Sequence, residues 1–146
     1  MKRVLVFGVF DLFHFGHLQL LKRASKLGDY LIVAVQNEEY IRRFKPPGVI
    51  ESMYSTEERI EMIRALRCVD EVIVYDVVAD DIKKINFDIY VKGPDNTHSG
   101  IMEAVQWCEK NGKEVLTLPR TEGISSTYIK KLIINLGGEY YDAGKN

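Results

Sequence analysis

The chain has 146 residues, 46% apolar and 28% charged, enough for one domain with its own core and no metal or disulfide staples. Twenty basic residues face 21 acidic ones, for a formal charge of −1, which argues against a generally basic nucleic-acid coat. Cys68 and Cys108 stand apart with no CxxC, so neither a disulfide scaffold nor a structural zinc site is expected.

The first element is Val4 to Phe7, a buried strand that ends at Gly8. Leu18, Leu20, Leu21, Ala24 and Leu27 recur at helical spacing, with Gly28 as the expected C-cap. Tyr30 to Val35 reads as strand two. A short helix follows, broken by Pro46, Pro47 and Gly48. Ser55-Thr56-Glu57-Glu58 reads as a capping box opening a helix to about Arg67. Glu71 to Tyr75 is strand three, Asp80 to Ile85 a short helix, and Phe87 to Val91 strand four. Ile101 to Lys110 is a helix stopped by Asn111-Gly112, with Trp107 and Cys108 on its core side. Val115 to Leu118 is strand five, and Ser125 to Leu136 a last helix stopped by Gly137-Gly138. The expected organisation is one domain over residues 1–136 and a tail over 137–146. Strands alternating with helices predict an α/β, Rossmann-like parallel five-stranded sheet with helices on both faces. The apolar runs fall far short of the roughly 20 residues of a membrane span. Met1 is followed directly by a strand, without a signal-peptide pattern, so a soluble, cytoplasmic protein is expected.

In such sheets ligands bind beyond the carboxyl ends of the strands. After strand one comes Gly8-Val9-Phe10-Asp11-Leu12-Phe13-His14-Phe15-Gly16-His17. Two of the chain's three histidines lie here, three apart, at the start of a helix. Histidines at that spacing project to one side. Gly8 and Gly16 permit close backbone approach, and the helix start offers free N–H groups and a positive dipole end. These features suit a polyphosphate, with His14 and His17 donating to oxygens that gain charge during displacement at phosphorus. A satisfied core histidine is the bland alternative; a metal site is another, but it lacks a third ligand unless Asp11 or a distant residue joins.

The segment resembles the signature of the small cytidylyltransferases within the HxGH nucleotidyltransferase superfamily. After strand five, Arg120-Thr121-Glu122-Gly123-Ile124-Ser125-Ser126-Thr127 forms a second anion cradle at a helix N-terminus, although an N-cap alone would also explain Ser-Ser-Thr. The run resembles the second signature of cytidylyltransferases acting on glycerol-3-phosphate, phosphocholine and phosphoethanolamine. The resemblance spans residues 2 to about 134. It implies CTP as the nucleotide; adenylyl transfer from ATP, and a different phosphorylated acceptor, are the alternatives.

Four positions between the signatures are added. Lys45, in a Phe-Lys context, matches a family lysine that reaches the triphosphate; a solvated loop lysine is the alternative. Arg59 and Lys92 are candidates for the acceptor phosphate; Arg59 could instead organise the site, with a helix-surface salt bridge its other reading. Asp95, in Lys92-Gly93-Pro94-Asp95, matches an aspartate shared in the superfamily and is expected at the ribose or base, or else simply in a turn. The expected mechanism is in-line displacement at the α-phosphorus of CTP. His14, His17, Lys45 and Arg120 act on phosphates. Val9 and Phe10 offer N–H groups, and Mg²⁺ comes with the nucleotide, with Asp11 in its outer shell. The family implies a homodimer. No GxxxxGK[ST] or GxGxxG motif supports a P-loop or dinucleotide reading.

Overall fold

The computed structural model describes residues 1–44, 52–94 and 98–144. Five strands form one sheet: β1 (Arg3–Gly8), β2 (Tyr30–Gln36), β3 (Glu71–Tyr75), β4 (Ile89–Lys92) and β5 (Glu114–Thr117). All pairings are parallel and the order is β3-β2-β1-β4-β5. Among the described residues six α-helices connect or follow them: α1 (Phe15–Ser25), α2 (Glu38–Phe44), α3 (Thr56–Arg64), α4 (Val78–Asp81), α5 (Ser99–Lys110) and α6 (Ser126–Gly144). A single 3₁₀ turn, Ile82–Lys84, extends α4.

Alternation along β1 divides the core. Val4 and Val6 point to one face, where Leu21 and Ala24 of α1 and Ile63 of α3 close over them. Leu5 and Phe7 point to the other, against Val78 and Ile82 near α4 and Ile101, Ala104 and Cys108 of α5. Both faces are therefore dry, which is why β1 and β2 read as unbroken apolar runs. Phe7 sets its ring edge-on to Tyr75 at 4.8 Å and to Tyr90 at 5.7 Å, the preferred aromatic geometry. Among the described residues, no helix is long and apolar enough to cross a membrane.

The predicted sheet and its helices are present, with shifted ends. The capping box at Ser55 forms as expected, its Oγ accepting from the Glu58 N–H while Glu58 accepts from the Ser55 N–H. Yet α3 stops at Arg64, because the Leu66 N–H turns back to the Ile63 carbonyl. The last helix does not stop at Gly137-Gly138 but runs through both to Gly144. Glycine weakens a helix interior by about 1 kcal/mol without breaking it.

Gly28 is not the C-cap of α1. That place belongs to Lys26, whose N–H reaches the Ala24 and Arg23 carbonyls. Gly28 instead lies where the chain passes under the N-terminus. A Cβ there would sit 2.7 Å from both the Lys2 carbonyl oxygen and Val4 Cγ2. The backbone cannot yield easily, because the Asp29 and Tyr30 N–H groups both bond the Lys2 carbonyl. Gly28→Ala should therefore lose about 1–3 kcal/mol, as overpacking does. A thermal melt indistinguishable from wild type would contradict this packing.

Candidate active site

The strand order reverses between β1 and β4, so the crevice at their carboxyl ends is the topological switch point. A cavity of about 600 Å³ opens there. The β1 turn lines it from Gly8 to Asp11, with His14, Gly16 and His17 from the start of α1. Gly93 and Pro94 come from the end of β4, and Arg120, Thr121 and Ile124 to Thr127 from the segment joining β5 to α6. Two distant signatures thus meet at one opening.

The spacing of the histidines has a structural cause. His14 is the N-cap of α1 and His17 the third helical residue. The Gly16 N–H donates to His14 Nδ1 at 3.0 Å, and the His14 N–H donates to His17 Nδ1 at 3.1 Å. The rings stack with centroids 3.8 Å apart. A nitrogen that accepts an N–H carries no proton, so this pattern assigns both rings the neutral form with hydrogen on Nε2. Burial favours the same state. It pushes His17 down to about 3, with His14 adding to the effect and Asp11 opposing it. His14 is lowered by burial and then by Arg120. Two neutral Nε2–H donors are the result. Gly16 is required between them, since a Cβ there would lie 2.8 Å from His14 Cε1.

The turn that carries these rings is strained. Phe10 and Leu12 take φ of 57° and 47°, a left-handed region that costs roughly 1–2 kcal/mol for a residue with a side chain. Polar ties hold Val9, before the first of them, and Asp11, between the two. Arg59, fully buried, donates through Nη1 to the Val9 and Gln36 carbonyls at 2.8 and 2.9 Å, and through Nε to the Tyr54 carbonyl. Asp11 accepts the Met53 N–H on Oδ2 at 2.8 Å and the Tyr54 N–H on Oδ1 at 3.0 Å. Lys130 of α6 places Nζ 2.6 Å from Asp11 Oδ2. The Ser126 hydroxyl donates to the Asp11 carbonyl at 2.5 Å.

Several expected roles change in consequence. Among the described residues Arg59 makes no salt bridge, and its guanidinium bonds the Val9, Gln36 and Tyr54 carbonyls and the Thr56 hydroxyl, which favours its expected organising role over the acceptor phosphate. Asp11 lines the cavity, but both carboxylate oxygens are engaged by the chain itself, which leaves it poorly placed as an outer-shell partner for Mg²⁺. Lys92, Glu122 and Gly123 do not line the cavity. Gly123 takes φ of 80° and turns the chain toward α6. Lys45 and Asp95 lie outside the described residues. Lys130 was missed. Its signal was present, because it falls three and four residues after Thr127 and Ser126, on the same side of the helix.

The depressed histidine has a consequence for stability. In the unfolded chain an imidazole takes up a proton near 6.5, whereas folded His17 resists it until about 3. Acid therefore favours unfolding, and this contribution is lost progressively as pH falls from about 6.5 toward 3. Unfolding titrations should show stability falling across that window and a flatter dependence in His17→Asn. Stability that rises on acidification would contradict the neutral, buried ring.

Comparison with known proteins agrees with this geometry. A family model described as cytidylyltransferase-like matches residues 5–132. The glycerol-3-phosphate cytidylyltransferase of Bacillus subtilis is 40% identical over 93% of this chain and 100% of its own length. An FAD synthase of Thermococcus onnurineus is 39% identical over 88% of this chain and 77% of its own. Among solved structures, the lipopolysaccharide core biosynthesis protein of Thermoplasma volcanium superposes with a TM-score of 0.65 at 29% identity, covering 83% of this chain and 97% of that one. With two histidine donors at the switch point and the family match spanning both signatures, this chain belongs to the cytidylyltransferase-like family.

Proposed function

We propose that the protein transfers CMP from CTP to glycerol-3-phosphate and releases pyrophosphate. The observation that carries this reading is the stacked His14–His17 pair at the switch point, in a chain matched over 90–93% of its length by glycerol-3-phosphate cytidylyltransferases. A phosphate oxygen of the acceptor attacks the α-phosphorus in line. The bond from that phosphorus to the bridging oxygen breaks, and pyrophosphate leaves with the electron pair. No covalent enzyme intermediate is needed, so the protein's part is alignment and charge stabilisation.

Within this reading the two Nε2–H groups donate to the α-phosphate and the bridging oxygen, where charge grows in the transition state. Neutral imidazoles suit this task, since they donate without exchanging a proton. Arg120 and Lys45 hold phosphate oxygens. The turn N–H groups of Val9 and Phe10 and the N-terminus of α6, with Ser125, Ser126 and Thr127, complete the anion site. Gly8, Gly16, Thr121 and Ile124 shape the nucleotide pocket, and Gly123 turns the chain that carries the last two.

Mg²⁺ enters with CTP as part of the substrate. Among the described residues no group of three His, Cys, Asp or Glu side chains is placed to hold a metal. Its ligands would be mainly phosphate oxygens and water. Homodimeric assembly and a cytoplasmic location belong to the same proposal.

His17→Asn keeps an acceptor near the Nδ1 position but loses the donor at Nε2. It should lower kcat by about 10²–10³-fold while the Kd for CTP changes little. Unchanged turnover would remove the histidine pair from the reaction. Pyrophosphate release with CTP or ATP, against glycerol-3-phosphate, phosphocholine and phosphoethanolamine, tests the substrates. The proposal expects release with CTP and glycerol-3-phosphate. The similarity to an FAD synthase favours adenylyl transfer as the second reading, and release with ATP in place of CTP would establish it.

A further inference from the structure

We infer that Lys130, which lines the cavity beside Asp11, is a positioning residue for the reaction at the two histidines and acts through its ion pair with Asp11. Both partners are almost fully buried. The Lys130 ammonium approaches the same Asp11 oxygen that accepts the Met53 N–H. Asp11 thus joins three parts of the chain: the β1 turn, the segment 52–54 and α6. It also sits between the two left-handed residues, Phe10 and Leu12. The path onward to the histidines is a ring contact. Phe10 meets the His17 ring edge-on at 5.4 Å, and Phe13 stacks on it at 5.3 Å.

The chemistry of the carboxyl explains why a cation is needed. Burial by itself would favour the protonated acid. The Lys130 ammonium and the Met53 and Tyr54 N–H groups reverse this and hold Asp11 below its ordinary value. As a carboxylate it accepts all three partners, whereas the protonated acid must turn one oxygen into a donor. Among the described residues, the charged or titratable groups that face it are Lys130 from α6, Arg59 from α3 and His17 from α1. Without Lys130, Arg59 alone supplies a full positive charge among these. Asp11 would then protonate at a higher pH, the tie to Met53 or Tyr54 would loosen, and the strained turn would relax beneath His17.

The inference rests on the proposed reaction only for its kinetic readout. Lys130→Met keeps the volume and removes the charge. Expected are a kcat reduced about 10–100-fold at pH 6, recovering as pH rises, and imidazole Cε1 proton signals of His14 and His17 that shift with the same midpoint. Lys130→Arg, which restores the charge, should restore the wild-type pH profile. Asp11→Asn with Lys130→Met leaves no buried unpaired charge at the pair; it should keep a low kcat at every pH and show no such titration. If the loss in Lys130→Met is independent of pH and multiplies with that of Asp11→Asn, Lys130 meets substrate directly and the inference falls. If Lys130→Met does not fold, the double variant decides, and wild-type turnover in it overturns the inference. If wild type turns over neither CTP nor ATP, the functional proposal fails, while the pH response of the histidine signals in Lys130→Met still decides this one.

Discussion

The turn leaving β1 has to carry two neighbouring histidines to the switch point, and it does so by bending through left-handed conformations at Phe10 and Leu12. That strain costs a few kcal/mol in total. The ties at Val9 and Asp11 include charge-assisted hydrogen bonds, each of which contributes about 1.5–3 kcal/mol. They exceed the strain, so the turn is held in one shape before any ligand arrives. The ties come from α3, from the segment before it and from α6. Three separate parts of the chain therefore converge on one turn, and the geometry of the site follows from theirs.

The same arrangement fixes the chemistry of the imidazoles. Each Nδ1 is occupied by a backbone N–H, one from each side of the same helix start. The capping interaction that begins α1 and the display of two Nε2–H donors are thus a single feature. Protonating either ring at Nδ1 would break a cap and place a positive charge in a partly buried stack. Preorganised donors of this kind need no rearrangement as charge develops, which is where electrostatic stabilisation is largest.

Much of this was legible in the sequence because it is local. Apolar runs against amphipathic segments gave the strands and helices, and the position of two unusual segments after β1 and β5 gave the site. What escaped depends on contacts between distant residues. The sequence left Arg59 open between phosphate, site organisation and a salt bridge, because its acceptors, Val9 and Gln36, lie far from it in sequence. Gly28 resembles a C-cap until Lys2 is placed above it. Asp11 looks like a ligand-facing carboxylate, and the approach of Met53, Tyr54 and Lys130 shows that the chain already uses it. The extent of α6 was missed because two glycines weaken a helix without dictating its end.

The central claim is that His14 and His17 stand as two neutral donors with hydrogen on Nε2, held so by the backbone. The most direct measurement is a long-range ¹⁵N–¹H correlation spectrum of the imidazole nitrogens in the unliganded wild-type protein at pH 7. The account predicts that both residues show a protonated Nε2 and an unprotonated Nδ1. An imidazolium at either position, or hydrogen on Nδ1, would contradict it.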